Sequence, residues 1–372
     1  MTQARDPSPS QPGLVARGLM ATADSVSDQS PKSADWKTLV QKFQKSSRWR
    51  ASWQLLNTVG TYVALWVLIG WTLRVSWWLA VPLSVLAGLF LVRVFIIFHD
   101  CGHGSFFASR RANSFWGFVT GLLTFTPYYH WRGDHAVHHG TTGDLGQRGV
   151  GDLWTMTVHE YLASTRWKKI GYRLVRNPFV LFGLAPLLLM LVLQRFPRAG
   201  AGPSERRSVW IMNAAVVAMA VGIALVVGFL PYLVVQLIIV MVAGSVGIWL
   251  FYLQHQFEAA YWERGKDWNY VEAALKGSSY FKLPRVLQWF SGNIGFHHIH
   301  HLSPRIPNYY LEACHRSDPL FSSVAPMSIW AALRALGLKV WDESTKKLVG
   351  WREVRELRRQ FRSRNRSSPP PS

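Results

Sequence analysis

Four histidines stand within five positions in the stretch Ser291-Gly-Asn-Ile-Gly-Phe-His-His-Ile-His-His-Leu302. On a helix, His297, His300 and His301 fall at i, i+3 and i+4, which puts their imidazoles on one face where they can converge on a metal ion. The same spacing recurs in His135, His138 and His139, and a shorter form in the i, i+4 pair His99 and His103. His255, in Phe251-Tyr-Leu-Gln-His-Gln-Phe-Glu258, brings the candidate ligands to nine. One ion rarely takes more than about six ligands, so the set implies two metals with coordination positions left open. Open positions mean chemistry. Imidazole suits Zn, Cu, Fe and Ni alike, so the ligand type does not select the metal.

Carboxylates are scarce among these histidines. Asp100, Asp134, Asp144, Asp152 and Glu258 are expected beside the imidazoles, accepting their outward N–H and fixing the tautomer. His298 lies between ligands but on another helical face, and is read as a neighbour of the site or as simply solvated. His130, His159 and His315 lack the ligand spacing and are read as interfacial, surface or isolated residues. The glycine-rich stretch from Thr142 to Gly151 has no preceding strand and no Lys-Ser or Lys-Thr ending, so it is a turn around the second His group, not a phosphate loop.

Elements able to position such an array are membrane helices. The 372-residue chain is 49% hydrophobic and only 16% charged, with 19 Trp, which is too apolar for a soluble domain once the apolar residues prove to come in long runs. Residues 55–73, 77–98, 209–228 and 231–252 are long enough to span. Arg93, near the end of the second run, is expected to snorkel to the headgroups and mark the water boundary, with His99 about 9 Å beyond it at ~1.5 Å per residue. Residues 115–129 are too short to cross and should lie in the interface or re-enter. Residues 178–194 are apolar but flanked by Lys168, Lys169, Arg173 and Arg176 before and Arg195, Arg198, Arg206 and Arg207 after. A crossing there would leave His139 and His297 on opposite sides of the bilayer, so this run is expected in plane.

The expected architecture is therefore all-α and integral to the membrane: four transmembrane helices, in-plane amphipathic helices, and a cytosolic helical cap that holds the metal site. Residues 1–35, rich in Ser, Pro and Gln, are expected to be a disordered tail, 36–345 the membrane domain with a surface-bound basic helix over 36–53, and 346–372 a basic, partly disordered tail. Both termini and the basic loops are placed in the cytoplasm, in a bacterial inner membrane. The net charge of +21 falls between the apolar runs and argues for anionic lipid as its partner, not nucleic acid. Two Cys, Cys101 and Cys314, imply no disulfide framework.

The chain resembles the membrane fatty acid desaturases, and within them the bacterial acyl-lipid enzymes of the methyl-end, Δ12 type. The resemblance is carried by His99-Asp-Cys-Gly-His103-Gly-Ser-Phe, His135-Ala-Val-His138-His139, Gln254-His255-Gln256-Phe257-Glu258 and Gly292-Asn-Ile-Gly-Phe-His297-His-Ile-His300-His301. It implies a non-haem site of two Fe ligated by His99, His103, His135, His138, His139, His255, His297, His300 and His301. It further implies O2 as oxidant, an acyl chain of a membrane lipid as substrate, and electrons from a separate donor such as ferredoxin or a cytochrome with its reductase. The expected reaction is a cis double bond at Δ12 of an 18:1 chain. An unactivated methylene offers no acid, electrophile or leaving group, so acid–base and nucleophilic strategies have nothing to act on and a metal-activated oxidant is required. A hydroxylase or acetylenase, or a carotenoid oxygenase, is the alternative on the same scaffold. A metal transporter or sensor fits less well, because transport ligands belong near the bilayer midplane.

Overall fold

The computed structural model describes residues 36–367. In chain order, α1 (Arg48–Thr72) and α2 (Trp77–His103) are long apolar helices, α3 (Arg110–Leu123) and α4 (Tyr128–Thr141) are shorter, and α5 (Arg166–Val175) and α6 (Val180–Arg195) form a pair bent by 63°. Two more long apolar helices follow, α7 (Pro203–Val227) and α8 (Phe229–His255). The rest is a cap containing α9 (Tyr270–Gly277), α10 (His297–Leu302), α11 (Asn308–His315) and α12 (Trp351–Ser367). Four helices thus have the length and composition to cross a membrane, or five crossings if the bent pair counts as one. Two minimal sheets complete the cap: β1 (Tyr280–Phe281) runs parallel to β2 (Pro326–Met327), and β3 (Val340–Asp342) pairs antiparallel with β4 (Lys347–Val349).

Helix α2 is the axis of the molecule and packs against α1, α3, α4 and α8. In its most apolar stretch 61% of residues are buried inside the protein, against 33%, 11% and 39% for α1, α7 and α8, so α2 is the helix least available to lipid. Large apolar side chains such as Val67, Trp78, Leu225 and Phe229 point outward from the bundle, as a lipid-facing surface requires. The helix starts at Ser76, whose side chain accepts from the Trp78 N–H, and ends at Gly104, whose φ of 70° is the left-handed cap that stops the chain one residue after His103.

Three expectations change on inspection of the helices. Arg93 does not snorkel: its guanidinium is buried, donates to Thr58 Oγ1 at 3.0 Å and to the Trp289 carbonyl, and lies 4.0 Å from the Trp289 ring. Internal acceptors replace the headgroups, so Arg93 marks no water boundary. The segment 48–53, expected on the surface, is instead the first part of α1, which runs on through a π-helical turn at Leu56–Gly60. The expected break at 345/346 falls within the turn joining β3 to β4, and α12 continues to Ser367; residues 1–35 and 368–372 lie outside the described residues.

The bent pair is tied down at its bend and at its far end. Arg176, at its bend, donates to Gln256 beside His255, and Arg195, at its far end, donates to the carbonyl of Phe125 in the turn leading into α4. Between them α6 packs on α8, where Ser245 Oγ donates to the Phe182 carbonyl at 2.5 Å. Histidines from before and after α7 and α8 meet in common clusters, described next. The chain between His139 and His297 must therefore cross an even number of times, which α7 and α8 satisfy without α6.

Candidate metal centre

The nine imidazoles sort into two groups. His99, His103, His135, His139 and His300 form one, and His138, His255, His297 and His301 the other; within each group one ring nitrogen per residue lies within 4.8 Å of all the rest. The expectation that His297, His300 and His301 share one face is corrected here. Positions i+3 and i+4 are ~100° apart on a helix, so the triplet straddles two directions. In α10, His297 and His301 turn to the second group and His300 to the first. In α4 the division is reversed: His135 and His139 face the first group and His138 the second. Each triplet therefore spends its i, i+4 pair on one group and its remaining histidine on the other, and α2 and α8 complete them from their last turns.

Contacts around the rings fix their tautomers. His99 Nδ1 donates to Asp100 Oδ1 at 3.0 Å, His138 Nδ1 to Asp152 Oδ1 at 2.6 Å, and His255 Nδ1 to the Gly277 carbonyl at 3.2 Å. With Nδ1 carrying the proton, Nε2 of each presents its lone pair. Asp100 is held in turn by the backbone and side-chain N–H of Asn308 at 2.6 and 2.8 Å, and Asn308 Oδ1 accepts from Gln54 of α1 at 3.0 Å. Across each group the rings approach closely: His139 and His300 bring their Nε2 atoms to 3.0 Å, as do His255 and His297.

Burial pushes His135, His139, His297, His300 and His301 well below the ordinary imidazole range, and the neighbouring imidazoles push the same way. Six buried ring nitrogens have no hydrogen-bond partner: Nε2 of His103, His138 and His301, and Nδ1 of His139, His297 and His300. Each such orphan costs on the order of 1–3 kcal/mol. Neutral imidazoles with lone pairs converging in two groups are the donor set that a transition metal requires, so the residues present fit a metal in each group. A cavity of about 90 Å³ lined by His103, Trp131, Arg132 and His135 adjoins the first group.

Not every expected neighbour is found at the site. Asp134 pairs with Arg198 at 2.9 Å and lies 3.6 Å from His130; Asp144 caps its own turn by accepting from Gly146 N–H; Glu258 is exposed and pairs with Lys347. None of these three touches an imidazole of either group, because proximity in sequence did not fix the direction of the side chain. His298 is buried and points away, its Nε2 3.1 Å from His315 Nδ1; burial first, and His315 second, push it down to about 3. His159 is exposed. Asn308 and Gln54 gave no sequence signal, since their contact with the site is made across 208 and 254 residues of chain.

The sequence model of the fatty acid desaturase family matches residues 76–327, a span that includes all nine histidines. The chain belongs to the fatty acid desaturase family. This desaturase is 45% identical over 304 residues to a fatty acid desaturase of Bacillus subtilis, covering 82% of this chain and 86% of that protein. It is 28% identical over 254 residues to the sn-1 oleoyl-lipid 12-desaturase of Synechocystis sp., covering 64% and 68%. It is also 28% identical over 270 residues to a temperature-sensitive sn-2 acyl-lipid omega-3 desaturase (ferredoxin) of Arabidopsis thaliana, covering 65% of this chain and 58% of that one. The protein is thus an oxidoreductase, and its histidine groups include the last turns of α2 and α8.

Proposed function

We propose that this desaturase uses O2 and two irons to introduce a cis double bond into acyl chains of membrane lipids, at Δ12 of 18:1. The observation that carries the reading is the division of nine buried or half-buried imidazoles into groups of five and four, completed from the ends of two long apolar helices. His99, His103, His135, His139 and His300 are the proposed ligands of one iron, and His138, His255, His297 and His301 those of the other. The irons would supply the oxidising power, drawn from O2 and external electrons, that removes hydrogen from two adjacent methylenes.

The chain's own residues do the rest. Burial disfavours protonation of His135, His139, His297, His300 and His301, so at these rings a metal does not compete with a second ring proton. Asp100, Asp152 and the Gly277 carbonyl hold three rings in the metal-binding tautomer. The ligands lie at helix ends, at the height an acyl chain reaches when it rises from the lipid phase, and the surrounding cap excludes bulk water. The Δ12 choice is supported by the 12-desaturase among the relatives, and a ferredoxin-type donor by the acyl-lipid omega-3 desaturase (ferredoxin) among them. A basic cytoplasmic face suits an acidic donor of that kind.

Expression in a bacterial host that makes monounsaturated lipids, with a compatible reductase system, tests the reading. Gas chromatography with double-bond localisation should show 18:1 chains converted to 18:2 with the new bond at C12. A new bond at C9 of a saturated chain would contradict the position, a hydroxy acid would replace desaturation by hydroxylation, and unaltered lipids would contradict the substrate.

A further inference from the structure

Arg176 sits at the bend between α5 and α6 with only 1% of its surface exposed, and no carboxylate among the described residues pairs with it. A buried guanidinium without a counter-charge is costly, so its partners should account for its presence. Its Nη2 donates to Gln256 Oε1 at 2.6 Å and to the Leu338 carbonyl at 3.3 Å, and the guanidinium lies 5.1 Å from the Tyr252 ring. Its Nε and Nη1 have no hydrogen-bond partner, and the one other buried cation beside it, Lys339, donates to the Arg176 carbonyl at 2.8 Å. Among the described residues, Gln256 is the one side chain that accepts a hydrogen bond from this charge.

Gln256 follows His255 in the chain, and its side chain reaches on to a second segment. A guanidinium can only donate, so it holds Oε1 of the Gln256 amide toward itself and turns the amide NH2 the other way. That NH2 donates to Thr155 Oγ1 at 3.1 Å. Thr155 lies three residues beyond Asp152, the carboxylate that accepts from His138 Nδ1 at 2.6 Å. The line from Arg176 through Gln256 to Thr155 thus joins the segments carrying His255 and Asp152, both of which serve the second histidine group. None of these contacts involves a residue of the first group.

We infer that Arg176 is a positioning residue for the second metal: by fixing the Gln256 amide between the α8 terminus and Thr155, it holds His255 and the Asp152–His138 pair in register. This rests on the two-metal reading given above. Loss of the guanidinium frees the amide to turn and leaves Gln256 Oε1 buried without a donor, so the second group loosens while the first keeps its five imidazoles.

The test uses full-length protein purified in detergent with 57Fe, comparing wild type with Arg176→Met, Gln256→Leu and Gln256→Glu. Bound metal per chain, its release to a ferrous chelator and the Mössbauer spectrum are read. In Arg176→Met and Gln256→Leu one of two irons should leave at least about 10-fold faster than in wild type, with one iron environment altered and the other retained. Gln256→Glu should keep both, since its carboxylate accepts from Arg176 and the Thr155 hydroxyl can turn to it from the Leu153 carbonyl, to which it donates at 3.1 Å. Wild-type release and spectrum in Arg176→Met and Gln256→Leu would overturn the inference, and so would simultaneous loss of both irons with the helical signal, which marks general unfolding. Wild-type protein that binds no metal would instead overturn the reading of the histidine groups as metal sites, and is told apart from the other outcomes by the wild-type measurement alone.

Discussion

Asp152 decides which nitrogen of His138 faces the second group, and its removal separates orientation from ligation. Asp152→Asn should lower metal affinity at that group by roughly 10–100-fold, read by titration with a competing chelator, because the amide can present its NH2 to Nδ1 and favour the wrong tautomer. His138→Ala and His300→Ala, each taking a ligand from a different group, should abolish product formation, whereas His159→Ala, on an exposed ring, should leave it intact; equal loss in all three would contradict the assignment. Most of this was legible at the level of spacing. The i, i+4 arithmetic picked out histidines that meet in the two groups, and the height of His255 on α8, comparable to that of His99 on α2, placed it with them. What spacing left open was the partition, which depends on the ~100° between consecutive helical residues and on where two other helices approach. Asp134, Asp144 and Glu258 were misplaced for a related reason: a turn can send a carboxylate to either side.

At the scale of elements, α10 is held against β1 by a contact that only glycine permits. A Cβ on Gly295 would meet the Phe281 carbonyl oxygen at 2.4 Å, while Phe281 N–H donates to the Gly295 carbonyl at 2.7 Å. Backbone cannot yield as a side chain does, so Gly295→Ala should displace the segment bearing His297 and cost about 1–3 kcal/mol, seen as a lower midpoint of thermal unfolding together with lost metal. The bent pair α5–α6 carries a second prediction. Cysteines placed at the exposed Ser204 and Ser317, with the native Cys101 and Cys314 both buried, should react with a membrane-impermeant reagent from the same face of the membrane. Labelling from opposite faces would mean that α6 crosses. Hydrophobic run length and charge flanks made the four long helices readable, but the inward satisfaction of Arg93 by Thr58 and Trp289 was not, since nothing local distinguishes a snorkelling arginine from one with acceptors supplied by distant segments.

Taken whole, the molecule is a membrane bundle whose two innermost helix ends and two cap helices converge on a single histidine-rich volume. The composition and the even number of crossings required between His139 and His297 were enough to place that volume at one membrane face. The two short sheets and the Asp100–Asn308–Gln54 line that lock the cap onto α1 and α2 came only from tertiary packing. Removal of metal should abolish product formation without dismantling the four long helices, because their cohesion is apolar packing along α2 and not ligation; circular dichroism before and after chelation checks this. The division of nine imidazoles into two sites is tested most directly by elemental analysis of detergent-purified protein made with iron available. About two Fe per chain is the result expected from two groups of ligands that can each hold one ion, and one Zn per chain with no Fe would contradict it.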